Sequence, residues 1–368
     1  MPSKIIVFQS DQSPVAVGAG LIALDVMIDE RTDTPPRLWT GGTCGNVLSI
    51  LAFLGWRSLP VSRLARDAAS RLIVRDLKRW GVGTEFLSLG STAPGPIIIH
   101  RIRQNSAGES FHSFSLNCPD CKRRLPAYRH VPAVAIDAAL PGIPKPAVFF
   151  ADRVSRGILT LARASMERGA LVVFEPSGVS DPAHFNEMLS IAHVLKYSHE
   201  RLPDLETDAD VPLIIETMGR GGLRYRSRLA GSKSKGWVRC EPYQLDRSID
   251  TAGAGDWCTA GIINVLGRHG SKAFRQIGLS KLQEAVSFGQ ALAAWNCGFL
   301  GARGGMYSVS KEECQKTVLL IMQNGKHSMP EDDEPTKTLG QVVTRICSEC
   351  RDASKRISKR PVLRLLHG

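Results

Sequence analysis

No apolar run in the chain approaches the length of a membrane span. The first residues offer only Ile5-Ile-Val-Phe8 before polar positions resume, which is too short for the apolar core of a secretory leader. The nine cysteines are odd in number and follow no disulfide framework, a pattern that goes with reduced thiols. No internal repeat is visible, and a cytoplasmic location is the expectation these absences leave. Acids are also scarce relative to bases, 35 against 47, so the formal net charge is +12. From Arg345 to Gly368 there are seven Lys or Arg and two acids, so this short tail carries +5 and everything before it +7. Such a tail has the charge to touch nucleic acid, but a solvated basic helix has the same composition, and nucleic acid is not the expected partner. What remains is 368 residues with 43% apolar content, enough for one large α/β domain plus additions.

The most informative stretch is Ser248-Ile-Asp-Thr-Ala-Gly-Ala-Gly-Asp256-Trp-Cys-Thr-Ala-Gly261. Small residues let a ligand approach the backbone, and successive N–H groups at a helix start form an anion site. An aspartate just inside such a site has the chemistry of a base: it can take a proton from a nucleophile while amides hold the group being attacked. A Gly-rich turn capping an ordinary helix has the same local pattern. A second element narrows the choice. Thr40-Gly41-Gly42-Thr43-Cys44-Gly45-Asn46 leads into a helical apolar pattern from Val47 to Leu54, ended by Gly55. Paired glycines admit a ligand against the backbone, and Asn46 offers both a donor and an acceptor to vicinal hydroxyls.

These two elements resemble the signatures of the ribokinase-like (PfkB-type) carbohydrate kinases: D-T-x-G-A-G-D near the C-terminus and G-G-x-x-x-N near the N-terminus. Smaller matches fill the interval. Val15-Ala-Val-Gly-Ala-Gly20 reads as a first strand with Asp25 following, Leu171 to Phe174 as a buried strand ending in Glu175, and Leu213 to Gly222 as a T-x-G-x-x-G turn. Gly298 to Gly305 follows an apolar helix from Ala285 to Cys297 and resembles the loop that borders adenine. The resemblance spans roughly Val15 to Lys311. It implies an α/β fold with a doubly wound, mostly parallel sheet, helices on both faces and a small β lid. It also implies ATP-dependent phosphoryl transfer to a hydroxyl of a sugar, with a nucleoside as the alternative acceptor.

On this resemblance Asp256 is the base, with Gly253, Ala254 and Gly255 in the anion loop. Asp25, Gly41, Gly42 and Asn46 hold the acceptor, and Thr217, Gly219, Gly222, Gly301 and Gly304 line the nucleotide. ATP and Mg2+ are the implied cofactors, Asp250 and Thr251 are candidates for a monovalent-cation loop, and a homodimer is compatible with the family. One stretch departs from the pattern. Where the family carries N-x-x-E, this chain has Lys196-Tyr-Ser198-His-Glu200, leaving Glu200 to reach Mg2+ through water or to serve as an ordinary first-turn acid. That departure leaves room for a third reading, a non-catalytic regulator built on a kinase fold.

The remaining organisation follows from patterning. Residues 1–14 read as a leader, 15–323 as the kinase domain, and 324–368 as a linker with a basic tail. The alternating runs at Ile97–Ile102 and Phe111–Leu116 read as a hairpin, so the lid is expected over about 26–40 and 95–130. Alternation of short apolar strands with helices, as from Ala147 to Phe174, argues a parallel sheet covered on both faces. Two C-x-x-C pairs, Cys118/Cys121 beside the hairpin and Cys347/Cys350 in the tail, have the spacing at which two thiolates grip zinc, and together they would complete a structural Zn2+ site. The first pair, with Pro119 after its leading cysteine, resembles a zinc knuckle, but the usual trailing glycine is replaced by Lys122. His112 and His130 are the alternative ligands, and no thioredoxin-like context supports a redox role.

Overall fold

In this computed structural model, residues 13–32, 34–88, 93–104, 110–203, 205, 210–245, 248–327, 346–347 and 349–350 are described. The expected leader, up to residue 12, and most of the linker and tail lie outside them. The strands longer than two residues are β1 (Val15–Ala19), β2 (Ala23–Asp29), β3 (Arg37–Gly41), β4 (Arg57–Val61), β5 (Ile97–Gln104), β6 (Ser110–Ser115), β7 (Val148–Ala151), β8 (Leu171–Phe174), β9 (Val194–Ser198), β10 (Leu213–Thr217), β11 (Leu223–Ser227) and β12 (Val238–Cys240). The helices are α1 (Thr43–Phe53), α2 (Ala68–Arg79), α3 (Ala133–Ala139), α4 (Arg156–Glu167), α5 (Pro182–Ile191), α6 (Ala254–Leu266), α7 (Gly270–Phe274), α8 (Leu279–Asn296), α9 (Gly304–Ser308) and α10 (Lys311–Asn324). None is long and apolar enough to cross a membrane.

An eight-stranded sheet runs β12-β11-β10-β9-β8-β7-β1-β4. From β4 to β10 every pairing is parallel; β11 and β12 close one edge antiparallel. Alternation along the strands explains why both faces are covered. Val148 and Phe150, Leu171 and Val173, and Leu213 and Ile215 enter one core with α1, α6 and α8. Their neighbours Phe149 and Ala151, Val172 and Phe174, and Ile214 enter a second core with α4 and α5. On the first side, Gly261 of α6 lies so close to Gly289 of α8 that a Cβ on Gly261 would stand 2.7 Å from the Gly289 Cα. Glycine at both positions lets the helix that carries Asp256 pack backbone to backbone on its neighbour.

A second sheet, β3-β2-β5-β6, pairs β2 and β5 in parallel and the outer strands antiparallel. It is inserted after β1 and again after α2. Because β1 is flanked by β4 on one side and β7 on the other, the strand order reverses there, and the crevice beyond that reversal is where ligands bind in open α/β sheets. The small sheet grows out of the same end.

Candidate active site

The Gly-rich loop ends as a helix start whose geometry explains its composition. Gly253 caps α6 at φ 74°, and a Cβ there would meet the Ala302 carbonyl oxygen at 2.3 Å. The amide of Ala252 donates to Asp250 Oδ1 at 2.7 Å, and that of Ala254 to the Thr251 carbonyl at 3.2 Å. Among the described residues this leaves the amides of Gly253, Gly255 and Asp256 without an internal partner, so the unpaired donors lie one step along from Ala252 and Ala254.

Asp256 stands in the first turn of α6, 9% exposed, and its Oδ2 accepts from Asn46 Nδ2 at 2.7 Å. The two signature motifs, about two hundred residues apart in sequence, are therefore joined by one hydrogen bond. Burial, helped by the negative charge of Glu175, pushes the Asp256 carboxyl up to about 7 against the Asn46 hydrogen bond and the charges of Lys196 and Arg201. Asn46 also accepts from Arg303 Nε at 3.1 Å. Each function of its amide thus makes one hydrogen bond inside the protein, and a second N–H and a second lone pair remain.

Arg303 is the residue the sequence hid. It is 1% exposed, and its Nη2 donates to the Thr40 carbonyl at 2.5 Å and to Asp76 Oδ2 at 2.8 Å. Asp76 also accepts from the Thr40 amide at 2.8 Å and from Tyr307 at 2.7 Å. Burial works to raise the Asp76 carboxyl, but Arg303 and these hydrogen bonds outweigh it and hold the carboxyl below its usual range. A buried guanidinium must be paired in this way. Arg303 was expected only as one position in an adenine loop. Its contacts, with Gly301 packed against Met27 and Trp39 of the small sheet, join the 298–305 loop to the Asn46 motif and the lid. Gly304 opens α9.

Asp25 lies in β2 opposite β3, and its carboxyl covers the space a Gly41 Cβ would fill, at 1.9 Å from that position. Gly42, at φ 78°, likewise fits only without a side chain, which would meet the Leu21 carbonyl oxygen at 2.5 Å. Asp25 Oδ1 and Arg303 Nη1 are buried without a hydrogen-bond partner among the described residues. Burial pushes the Asp25 carboxyl up to about 7 against the charge of Arg303. An acid and a cation, each with one unsatisfied buried atom, are the kind of vacant valence a polar ligand fills.

Beneath the loop sits a charge pair that the departure from N-x-x-E concealed. Lys196, 1% exposed in β9, donates to Glu175 Oε1 at 2.5 Å, and Glu175 Oε2 accepts from Thr259 of α6 at 2.5 Å. A Cβ on Gly255 would stand 3.7 Å from both Lys196 Nζ and Glu175 Oε1, so the pair abuts the Gly-rich loop. Asp152, after β7, is a further buried acid; it accepts from the Leu21 amide at 2.9 Å, and burial pushes it up to about 6. Glu200 is exposed in the turn after β9, and its Oε1 would lie 3.4 Å from a Cβ on Gly219. Gly219 and Gly222 shape the turn after β10, while the Thr217 hydroxyl donates to the Tyr197 carbonyl at 3.3 Å. Cys44 and Cys258 are simply buried.

The small sheet is tied to the loop through Asp250, whose Oδ2 accepts from the Gly301 amide at 2.7 Å and whose Oδ1 lies 3.2 Å from His112 Nε2. His100 Nε2 and His112 Nδ1 are 2.8 Å apart, and burial together with His112 holds His100 down at about 4 despite the Asp250 charge. His112 therefore belongs to the lid contact. The four paired cysteines meet elsewhere: Cys118 Sγ lies 3.8 Å from Cys350 Sγ and Cys121 Sγ 3.8 Å from Cys347 Sγ, with all four sulfurs within 4.8 Å of one another.

No family sequence model matches the chain, and no curated protein matches it by sequence. Solved structures do match. Arabidopsis thaliana ribokinase complexed with ribose and ATP superposes with a TM-score of 0.60 at 18% identity, over 83% of this chain and 99% of that one. The chain has the ribokinase-like fold. Xylella fastidiosa fructokinase with bound ATP gives 0.62 at 19% identity, covering 84% and 98% of the two chains. Methanocaldococcus jannaschii nucleoside kinase gives 0.58 at 15%, covering 84% and 99%. In this ribokinase-like fold the eight-stranded sheet is the doubly wound core expected from the motifs, and both motifs lie at the end from which the small sheet emerges.

Proposed function

We propose that the chain is an ATP-dependent kinase that transfers a phosphoryl group to a hydroxyl of a sugar or sugar-like molecule. The observation that carries this reading is Asp256: a buried carboxylate in the first turn of α6, among unpaired amides and hydrogen-bonded to the second motif. Kinases of this fold that hold ATP, from Arabidopsis and Xylella, support the nucleotide. The residues present fit it: the Gly253, Gly255 and Asp256 amides suit a polyphosphate, and Glu200 is an exposed acid beside the Gly219 turn, able to meet Mg2+ through water. Bound MgATP supplies the γ-phosphoryl and part of its charge neutralisation. Asp256 then takes the proton of the attacking hydroxyl, the amides stabilise the transferring oxygens, and Asp25 with Gly41 and Gly42 orients the acceptor. The small sheet, held to the loop by His112 and Asp250, excludes water. A panel of sugars and nucleosides with MgATP, scored by acceptor-dependent ADP release, tests the reading and separates the two acceptor classes. A chain that binds ATP yet turns over none of them would be a regulator instead.

Two expectations follow from the acids. Asp25→Ala should raise the KM for the acceptor by roughly ten- to hundredfold while the KM for ATP stays within a few-fold, because hydrogen bonds to a charged group contribute about 1.5–3 kcal/mol. Equal movement of both constants would make Asp25 a structural residue of β2. The second concerns pH. Only deprotonated Asp256 can act as a base, so kcat/KM should rise with pH, bend near 7 and level off above it. Glu175→Gln removes a negative neighbour and leaves Lys196 unopposed, so the bend should move to lower pH. A bend that stays put, or moves up, would separate it from Asp256.

A further inference from the structure

The four cysteines that meet are unused by the phosphoryl-transfer site. Zn–S bonds of about 2.3 Å in a tetrahedron require S···S edges of about 3.8 Å. Both cross-pairs, Cys118 with Cys350 and Cys121 with Cys347, stand at 3.8 Å. The spacing is far too long for covalent S–S bonds, near 2.0 Å. Each pair is therefore arranged around a centre, not joined to its opposite.

The backbone of the first pair is shaped to match. Lys122 adopts φ 61°, the left-handed conformation a glycine would take, and it is the one non-glycine residue with positive φ among those described. A bulky residue is held there only when its surroundings require it. The turn carries the Lys122 amide to the Cys118 carbonyl at 3.1 Å. It also aims the amides of Asp120 and Cys121 at Cys118 Sγ and that of Arg123 at Cys121 Sγ. Amides pointed at sulfur stabilise thiolates, the form in which cysteine ligates metal. A Cys₄ zinc site carries two negative charges, and Lys122, Arg123 and Arg124 follow directly; Arg123 also pairs with Glu349 at 3.3 Å across the same contact. Ile346 and Cys347 are buried in the core that includes Cys118 and Leu125.

We propose that Cys118, Cys121, Cys347 and Cys350 bind one structural Zn2+ that fastens the C-terminal segment to the base of the lid hairpin. All four ligands come from the protein, so the site is closed and has no position for substrate. The Leu125 amide donates to the Leu116 carbonyl at 2.7 Å, which links the knuckle to the end of β6, so the metal anchors one flank of the lid sheet. The site is independent of the kinase reading.

Elemental analysis of the full chain, purified without chelator from zinc-supplemented culture, should find close to one zinc per chain. Titration with an organomercurial should release it as the thiols react. Cys347→Ser/Cys350→Ser should reduce the zinc to background. Should that variant fail to fold, replacement of zinc by Co2+ in the parent chain provides the second measurement: the intense ligand-field and thiolate charge-transfer bands of a tetrahedral S₄ site are expected. Iron in place of zinc, no metal at all, full zinc in the double variant, or a Co2+ spectrum without thiolate character would each overturn the assignment.

Discussion

Asp256→Asn should lower turnover by at least about a hundredfold, the lower end of what a positioned general base contributes. The substitution keeps the shape and the hydrogen-bonding reach of the side chain but removes its ability to accept the hydroxyl proton. Asn46 Nδ2 now donates to Asp256 Oδ2 at 2.7 Å, and rotation of either amide lets a similar contact persist. Folding and ATP binding should therefore survive, read by thermal melting and by nucleotide titration. The variant is expected to melt no lower than the parent, because burial disfavours the charged carboxylate, pushing the group up to about 7, and a neutral amide removes that cost. Turnover within threefold of the parent would remove Asp256 from the chemistry.

Arg303→Met should destabilise the fold by about 3–5 kcal/mol, the cost of breaking a buried ion pair by removing one partner. Arg303 is 1% exposed and Asp76 8%, so water does not make good the loss. The substitution strips Asp76 of its charge partner at 2.8 Å, leaves the Thr40 carbonyl without that donor, and frees Asn46 Oδ1. Denaturant unfolding at neutral pH reads the effect directly. Asp76→Asn in the same background should recover part of the loss, since the stranded charge goes with it; no recovery would mean that packing, not charge, carries the cost. The sign with pH is fixed. A carboxyl held below its ordinary value of 3.8 contributes fully above about pH 4, and the contribution is lost as pH falls through the lowered value. A difference between parent and variant that grows on acidification would contradict the pairing.

The motifs in the sequence were informative where composition and position coincide. A run of small residues ending in Asp256, and paired glycines ahead of Asn46, can hardly be built without a ligand or a close backbone contact to justify them. The lid hairpin was legible because alternation survives in both of its strands. Arg303 and Lys196 were not legible, for a common physical reason: cations are ordinarily on the surface, and nothing local marks one that is buried. Their partners, Asp76 and Glu175, lie 227 and 21 residues away and become neighbours only through the sheet and helix packing. Asn46 illustrates the converse. Its motif was recognisable, but its engagement with Asp256 and Arg303 depends on that hidden cation. The cysteine pairs fall between these cases. Spacing identified each pair as a possible grip, whereas their meeting across 226 and 232 residues required the structure.

Transfer of label tests most directly whether Asp256 acts within a phosphoryl-transfer site. ATP labelled in its γ-phosphoryl group is incubated with the chain and an acceptor drawn from the sugar and nucleoside panel, and the label on the acceptor is counted. Labelled acceptor phosphate is expected with the parent chain, and at least about a hundredfold less with Asp256→Asn at equal ATP occupancy. Label transferred equally by the two chains, or label released only as free phosphate whatever acceptor is present, would contradict it.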